Sequence, residues 1–196
     1  RNWQWEIGAS VGRYKNEVTA LPAGQKYFDT PLYGATVRTQ VGAAAGVFYG
    51  YRTQGVFATS EEAADAALNQ QEANGTLTPF RAGDIHFTDR DGNHLINEAD
   101  QTIIGDPNPD IYGNIFTSLA YKNLRLDVGF NYSLGGDIYN YMRSQLEGGN
   151  RFINQTMAMT RRWHGEGHST DIPRAVFQDP MGNSRFSDRW IEDGSY

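Results

Sequence analysis

The residues best spaced for chemistry lie between positions 89 and 100. In Asp89-Arg90-Asp91-Gly92-Asn93-His94-Leu95-Ile96-Asn97-Glu98-Ala99-Asp100, oxygen-bearing side chains stand at the first, third, fifth, ninth and twelfth places. The Leu95 carbonyl falls at the seventh, and Ile96 can anchor the loop in a hydrophobic cluster. Hard oxygens at this spacing gather round a hard cation in EF-hand-like loops, so Asp89, Asp91, Asn93, Leu95, Asn97 and Asp100 are the expected calcium ligands. His94 stands where Gly would allow the sharp turn, and Asp100 is shorter than the bidentate Glu. The alternative is an Asp- and Asn-rich turn whose side chains bond their own backbone.

A second set, His164, Glu166 and His168 in Trp163-His164-Gly165-Glu166-Gly167-His168, would share one side of a strand, as zinc could require. Gly165 and Gly167 argue for an exposed loop instead. The chain has no G-x-S-x-G, Gly-rich phosphate loop or H-E-x-x-H, and no Cys, so an enzyme is not expected and calcium is the only cofactor in view. Glu61-Glu62 fall at a helix start, where they favour the dipole. Aromatic residues such as Tyr27, Tyr33, Tyr49, Tyr139, Tyr141 and Trp190 could stack on sugar rings or peptide side chains, though most aromatics in any domain are core.

The 196 residues carry 17 Lys and Arg against 23 Asp and Glu, a formal charge of −6, and no dense basic run. That excludes general binding to nucleic acid or anionic lipid. Hydrophobic residues make up 39%, enough for a core. The opening Arg1-Asn2-Trp3-Gln4-Trp5 is not a signal peptide, so the chain is expected to start as an internal segment or after a removed leader. No apolar run reaches the roughly 18 residues of a membrane helix, but spanning β-strands leave a weaker trace.

Three runs alternate with period two. Trp3, Trp5, Ile7, Ala9 and Val11 interleave with Gln4, Glu6, Gly8, Ser10 and Gly12; Leu124, Leu126, Val128, Phe130 and Tyr132 interleave with Arg125, Asp127, Gly129, Asn131 and Ser133. Between them lies Ile111, Gly113, Ile115, Thr117, Leu119 and Tyr121, with Tyr112 and Phe116 on the opposite face. Lys122-Asn123 make the last two runs a hairpin. Each run matches the roughly 9–11 residues of a tilted membrane strand and exceeds the ~5–6 of soluble sheets. A membrane barrel and a soluble β-sandwich both fit.

The segments 13–109 and 134–196 are too long to be structureless inside a compact domain. In the first, Thr59 and Glu62 form a capping box, Ala63 to Gln71 propagate a helix and Asn74-Gly75 stop it, while Val47 to Val56 and Asp84 to Phe87 look like short strands.

Six blocks follow one another: Gly46-Val47-Phe48-Tyr49-Gly50-Tyr51 with Gly55-Val56-Phe57; Gly83-Asp84-Ile85-His86-Phe87 with the Asp-rich loop; Ile103-Ile104-Gly105-Asp106-Pro107-Asn108-Pro109-Asp110; Gly135-Gly136-Asp137-Ile138-Tyr139-Asn140; Thr170-Asp171-Ile172-Pro173-Arg174; and Ser187 to Tyr196. In this order the chain resembles the SusC/RagA family of TonB-linked outer-membrane transporters, departing at His94, where the family usually has Gly, and at Trp190, where Phe is usual. The resemblance implies an all-β fold, part of a 22-stranded antiparallel transmembrane barrel whose long extracellular loops contain one short helix. It divides the chain into a wall strand at 1–13, an extracellular region at 14–109 with the helix and the Asp-rich loop, a wall hairpin at 110–133, and an extracellular segment at 134–196 leading into the next strand. It implies import of oligosaccharides or peptides at the cell outer membrane, with a SusD-like surface lipoprotein as partner and the TonB complex reached through a part upstream. Outer-membrane lipid would meet the strands, and no nucleic acid is involved. The competing expectation is a secreted β-rich carbohydrate-binding module with a calcium-braced loop.

Overall fold

The computed structural model describes residues 3–22, 24–72 and 74–196; Arg1 and Asn2, the start of the expected first strand, lie outside them. In chain order the strands are β1 (Trp3–Gly12), β2 (Tyr27–Leu32), β3 (Ala35–Gln40), β4 (Val47–Gly50), β5 (Thr53–Val56), β6 (Asn69–Gln71), β7 (Leu77–Pro79), β8 (Ile85–Phe87), β9 (Thr102–Gly105), β10 (Ile111–Tyr121), β11 (Leu124–Leu134), β12 (Asp137–Tyr139) and β13 (Ile191–Asp193). Two short helices interrupt them, α1 (Ser60–Ala66) and α2 (Tyr141–Leu146).

The three alternating runs form one antiparallel sheet in the order β1-β10-β11. Lys122, at φ 53°, makes the tight turn that returns β11 along β10, with Tyr121 opposite Leu124. The long excursion between β1 and β10 is folded, not open loop. It holds a four-stranded sheet, β2-β3-β4-β9, and the pairs β5-β8 and β6-β7. Alternation within β2 and β3 is too short and too polar to stand out in the sequence, and Pro31 keeps β2 at the sheet edge, where a missing N–H is tolerated.

Two helix expectations need correction. The capping box of α1 is present, Thr59 accepting from the Glu62 amide and Glu62 reaching back, but the helix ends at Ala66 and does not run to Gln71. Ala67 turns left-handed at φ 52°, which drops Leu68 into the core at 4% exposure and sends Asn69–Gln71 into β6. Asn74-Gly75 then serve the β6–β7 hairpin connection, a use the Asn-Gly pair favours. α2 is a second helix where one was expected; its Asn140 cap accepts from the Arg143 amide.

The core lies outside the three-stranded sheet. Phe57, Ala63, Leu68, Phe80, Ile85, Phe87 and Ile96 of the first excursion close on Met181 of the second. Phe87 is fully buried.

Candidate functional site

The three long strands present two chemically different faces. Across the sheet the register aligns Trp3 with Tyr121 and Leu124, Trp5 with Leu119 and Leu126, Ile7 with Thr117 and Val128, Ala9 with Ile115 and Phe130, and Val11 with Gly113 and Tyr132. Trp3 stacks on Tyr121 with centroids 4.2 Å apart, and the Trp5 indole donates to Thr117 Oγ1 at 2.7 Å. Among the described residues no second layer covers this face: Trp5, Val11 and Leu124 are each more than 70% exposed.

The opposite face aligns Gln4 with Ala120 and Arg125, Glu6 with Ser118 and Asp127, Gly8 with Phe116 and Gly129, and Ser10 with Asn114 and Asn131. Ser10 donates to Asn114 Oδ1 at 2.8 Å, and Arg125 pairs with Asp127 at 2.9 Å. Phe116 lies flat over Gly8 and Tyr112 over Gly12; a Cβ at either glycine would meet the ring.

Folding of the excursions depends on buried polar knots. Asp84, fully buried between Gly83 and Ile85, receives Arg174 through Nε at 2.9 Å and Nη2 at 3.0 Å, Asn183 Nδ2 at 2.9 Å and the Arg81 amide at 2.9 Å. Asn183 in turn accepts from the Ile85 amide at 2.8 Å. A charge this deep needs such complete pairing. Asp188 accepts from the backbone and hydroxyl of Thr53, and Tyr51 exchanges backbone bonds with Phe186 and Asp188. Asp137 accepts from the Asp106 amide at 2.8 Å, and β12 pairs with β13. The motif blocks thus meet one another in space. Asn183 was missed in sequence because it lies outside them; the signal for Asp84 was a lone carboxylate inside an apolar strand segment.

The Asp-rich loop brings Asp89, Asp91 and Asp100 together, with carboxylate oxygens within 4.8 Å of one another, the one such group of metal-ligating side chains among the described residues. His94 adopts φ 61°, doing the turn that Gly would do; histidine is one of the few side chains that tolerate this region. Asp89 accepts from the amides of Gly92 and His94, both at 2.8 Å. Partial burial pulls its pKa upward, but these amides with those of Asn93 and the Asp91 side chain hold it below the ordinary value. Asn93 and Asn97 spend an oxygen on the amides of Leu95 and Ala99, and Asp100, buried, receives the amides of Arg90 and Asn97. Asp91 bonds the Asn93 amide group. The loop therefore closes through its own side chains while pointing three carboxylates at one point.

The second expected set does not assemble. Glu166 turns away to α1, accepting from the Ser60 amide at 2.6 Å and its hydroxyl at 3.1 Å. His164 Nδ1 bonds the Arg162 carbonyl, its ring 4.1 Å from that of His168. The Trp163 indole and the Gly167 amide both reach the Ala58 carbonyl, so this loop is a docking strap for the helix start and not a zinc centre.

No family model matches the chain. It is 34% identical over its whole length to TonB-dependent receptor P3 of Formosa agariphila and 28% identical to receptor P26 of the same organism, in each case covering 19% of the relative. The chain belongs to the TonB-dependent receptors. It spans about a fifth of the length of these curated relatives. Among solved structures it is similar to the RagAB peptide transporter, with a TM-score of 0.69 at 20% identity, and to the RagAB peptide importer in the closed-closed state, with 0.68 at 19%; both matches cover all of this chain and 20% of the other. These structural matches carry the mostly-β fold of the receptor segment.

Proposed function

We propose that this receptor segment contributes three wall strands to a 22-stranded outer-membrane barrel, with β1, β10 and β11 spanning and the excursions 14–109 and 134–196 extracellular. The observation that carries this is the bare apolar face running through Trp5, Leu119 and Leu126 beside an equally continuous polar face. Ten residues at about 3.4 Å each, tilted by about 40°, rise about 26 Å, matching an apolar band about 25 Å tall. Ser133 and Tyr196 exchange reciprocal backbone bonds of 2.9 Å, so at this one position the outer edge of β11 is already paired by the end of the chain. A secreted module would have to leave this face wet.

The activity is import of oligosaccharides or peptides by gated binding and translocation, with a SusD-like lipoprotein over the outer loops and energy from TonB through other parts of the receptor. The peptide importer matches and the TonB-dependent relatives support that class. Calcium held by Asp89, Asp91 and Asp100, with Asn93, the Leu95 carbonyl and Asn97 completing the shell, would brace the base of the extracellular mass. The donors fit in kind, three hard carboxylates with no ion-pair partner among the described residues. Receptor expressed with its flanking sequence should partition with the outer membrane and migrate as a heat-modifiable barrel; a water-soluble monomer would refute the wall. Calorimetry with millimolar calcium should give heat that Asp89→Asn abolishes; no heat would refute the ion.

A further inference from the structure

A cleft of about 150 Å³ opens between the two excursions. One side is the Tyr33-Gly34 turn joining β2 to β3, the other is α2 and the segment after it, and buried Trp190 forms the floor. Ligand pockets for drug-sized molecules run from about 300 Å³ upward, so this one admits a single small unit of a larger molecule.

Three features specify the unit. First, the Tyr33 ring stands at the rim, 73% exposed, although its backbone sits at φ 49°, a conformation that a bulky side chain pays to adopt. Asn-Gly would make this turn without strain. The turn is held by the Tyr139 hydroxyl on the Tyr33 carbonyl at 3.1 Å, and the ring is oriented by Tyr141 at 5.2 Å. Second, Ser144, Asn150 and Ser184 line the cleft already fixed by bonds within the protein, Asn150 to Ser184 Oγ at 2.9 Å and Ser144 to the Tyr141 carbonyl at 2.7 Å. Third, Gln145 and Arg151 also line it, and neither side chain makes a hydrogen bond or ion pair with the described residues. Arg151 is the one charged side chain in the lining; the carboxylate behind Ser184, that of Asp179, is taken up by the Ser184 amide and hydroxyl, both at 2.6 Å.

We infer that this cleft binds one acidic sugar residue of an oligosaccharide, its ring edge against Tyr33, its hydroxyls on the amide and hydroxyl side chains and its carboxylate on Arg151. An unpaired guanidinium offers a fork matched to a carboxylate, and such charge-assisted pairs are about twice as strong as neutral ones. Four hydroxyl or amide partners beside one cation suit a polyhydroxylated monoanion. The carboxyl end of a peptide carries the same charge but would leave most of those groups idle. The inference rests on the import reading, since it places the cleft where cargo arrives.

The test is titration calorimetry on the detergent-purified receptor containing this segment, with trigalacturonate, trimannuronate and triglucuronate as probes, their methyl esters as neutral counterparts and trialanine as the peptide arm. At least one tri-uronate should bind, its ester at least tenfold more weakly, and both Arg151→Gln and Tyr33→Ala should weaken the acid at least tenfold; both side chains are exposed, and circular dichroism with heat-modifiability checks the fold. No binding of any tri-uronate, equal binding of acid and ester, an unchanged affinity in Arg151→Gln, or tighter binding of trialanine overturns the site. A receptor that fractionates to the outer membrane yet fails these titrations loses the cleft and keeps the wall; one that never reaches the membrane loses the wall.

Discussion

His86 stacks on Phe57 at 4.4 Å, and burial lowers its pKa, against a smaller upward pull from Glu62. The fold therefore favours the neutral imidazole. Its stabilising contribution is complete above the unfolded value of about 6.5 and is lost as the pH falls through the lowered folded value. The protection factors of the Ile85 and Phe87 amides, corrected for the intrinsic pH dependence of exchange, should fall on acidification below about pH 6.5, and His86→Gln should flatten that dependence; an unchanged pH profile in the variant would count against it. Asp84 makes a harder demand. Removing Arg174 leaves a fully buried carboxylate with only Asn183 and one backbone amide, a loss that costs about 3–5 kcal/mol in comparable buried pairs. Arg174→Met should make the 57–96 region cleavable by protease under conditions where Arg151→Gln, a surface change, leaves it resistant.

Among the elements, α1 is the one whose start was legible in the sequence and whose end was not. The start is local chemistry, Thr59 and Glu62 closing on each other. The end is set by tertiary demand: Leu68 must enter the core, so Ala67 takes a left-handed turn that would ordinarily call for Gly. A seven-residue helix has little stability of its own, and Glu166 reaching Ser60 from another segment supplements its cap. Thr59→Ala should cost about 1 kcal/mol, seen as faster exchange of the Glu62 and Ala63 amides. Glu166→Gln should loosen the same amides without affecting Ile96, whereas equal loosening throughout the core would mean the strap acts globally. The Asp-rich loop was expected to offer six ligand positions; the side chains of three of them, Asp89, Asp91 and Asp100, converge, and the self-closing hydrogen bonds are those of the alternative turn.

For the molecule as a whole, the long strands were legible because alternation over ten residues survives any context, while the four-stranded sheet was not, its strands being short and β2 exposed along its length. Which side of the long sheet is apolar was also plain from sequence; that no described residue covers it is a property of the fold that alternation alone does not carry. The two faces give a paired prediction. Phe130→Arg, near mid-strand on the apolar side, should cost about 2–4 kcal/mol of membrane stability and lower the amount of heat-modifiable receptor recovered. Asn131→Arg, one residue on and facing the other way, should leave recovery unchanged. Equal losses from both would remove the distinction between the faces.

Gly8 has a consequence for the interior of such a cylinder. Because it has no side chain, Phe116 can recline against the strand beside it, with Gly129 leaving bare backbone on the other flank. Give position 8 even a single methyl and the ring must move off the strand, which in the proposed barrel means towards the bore. One hydrogen atom on β1 thus decides how much clear passage a neighbouring strand leaves to whatever travels past it.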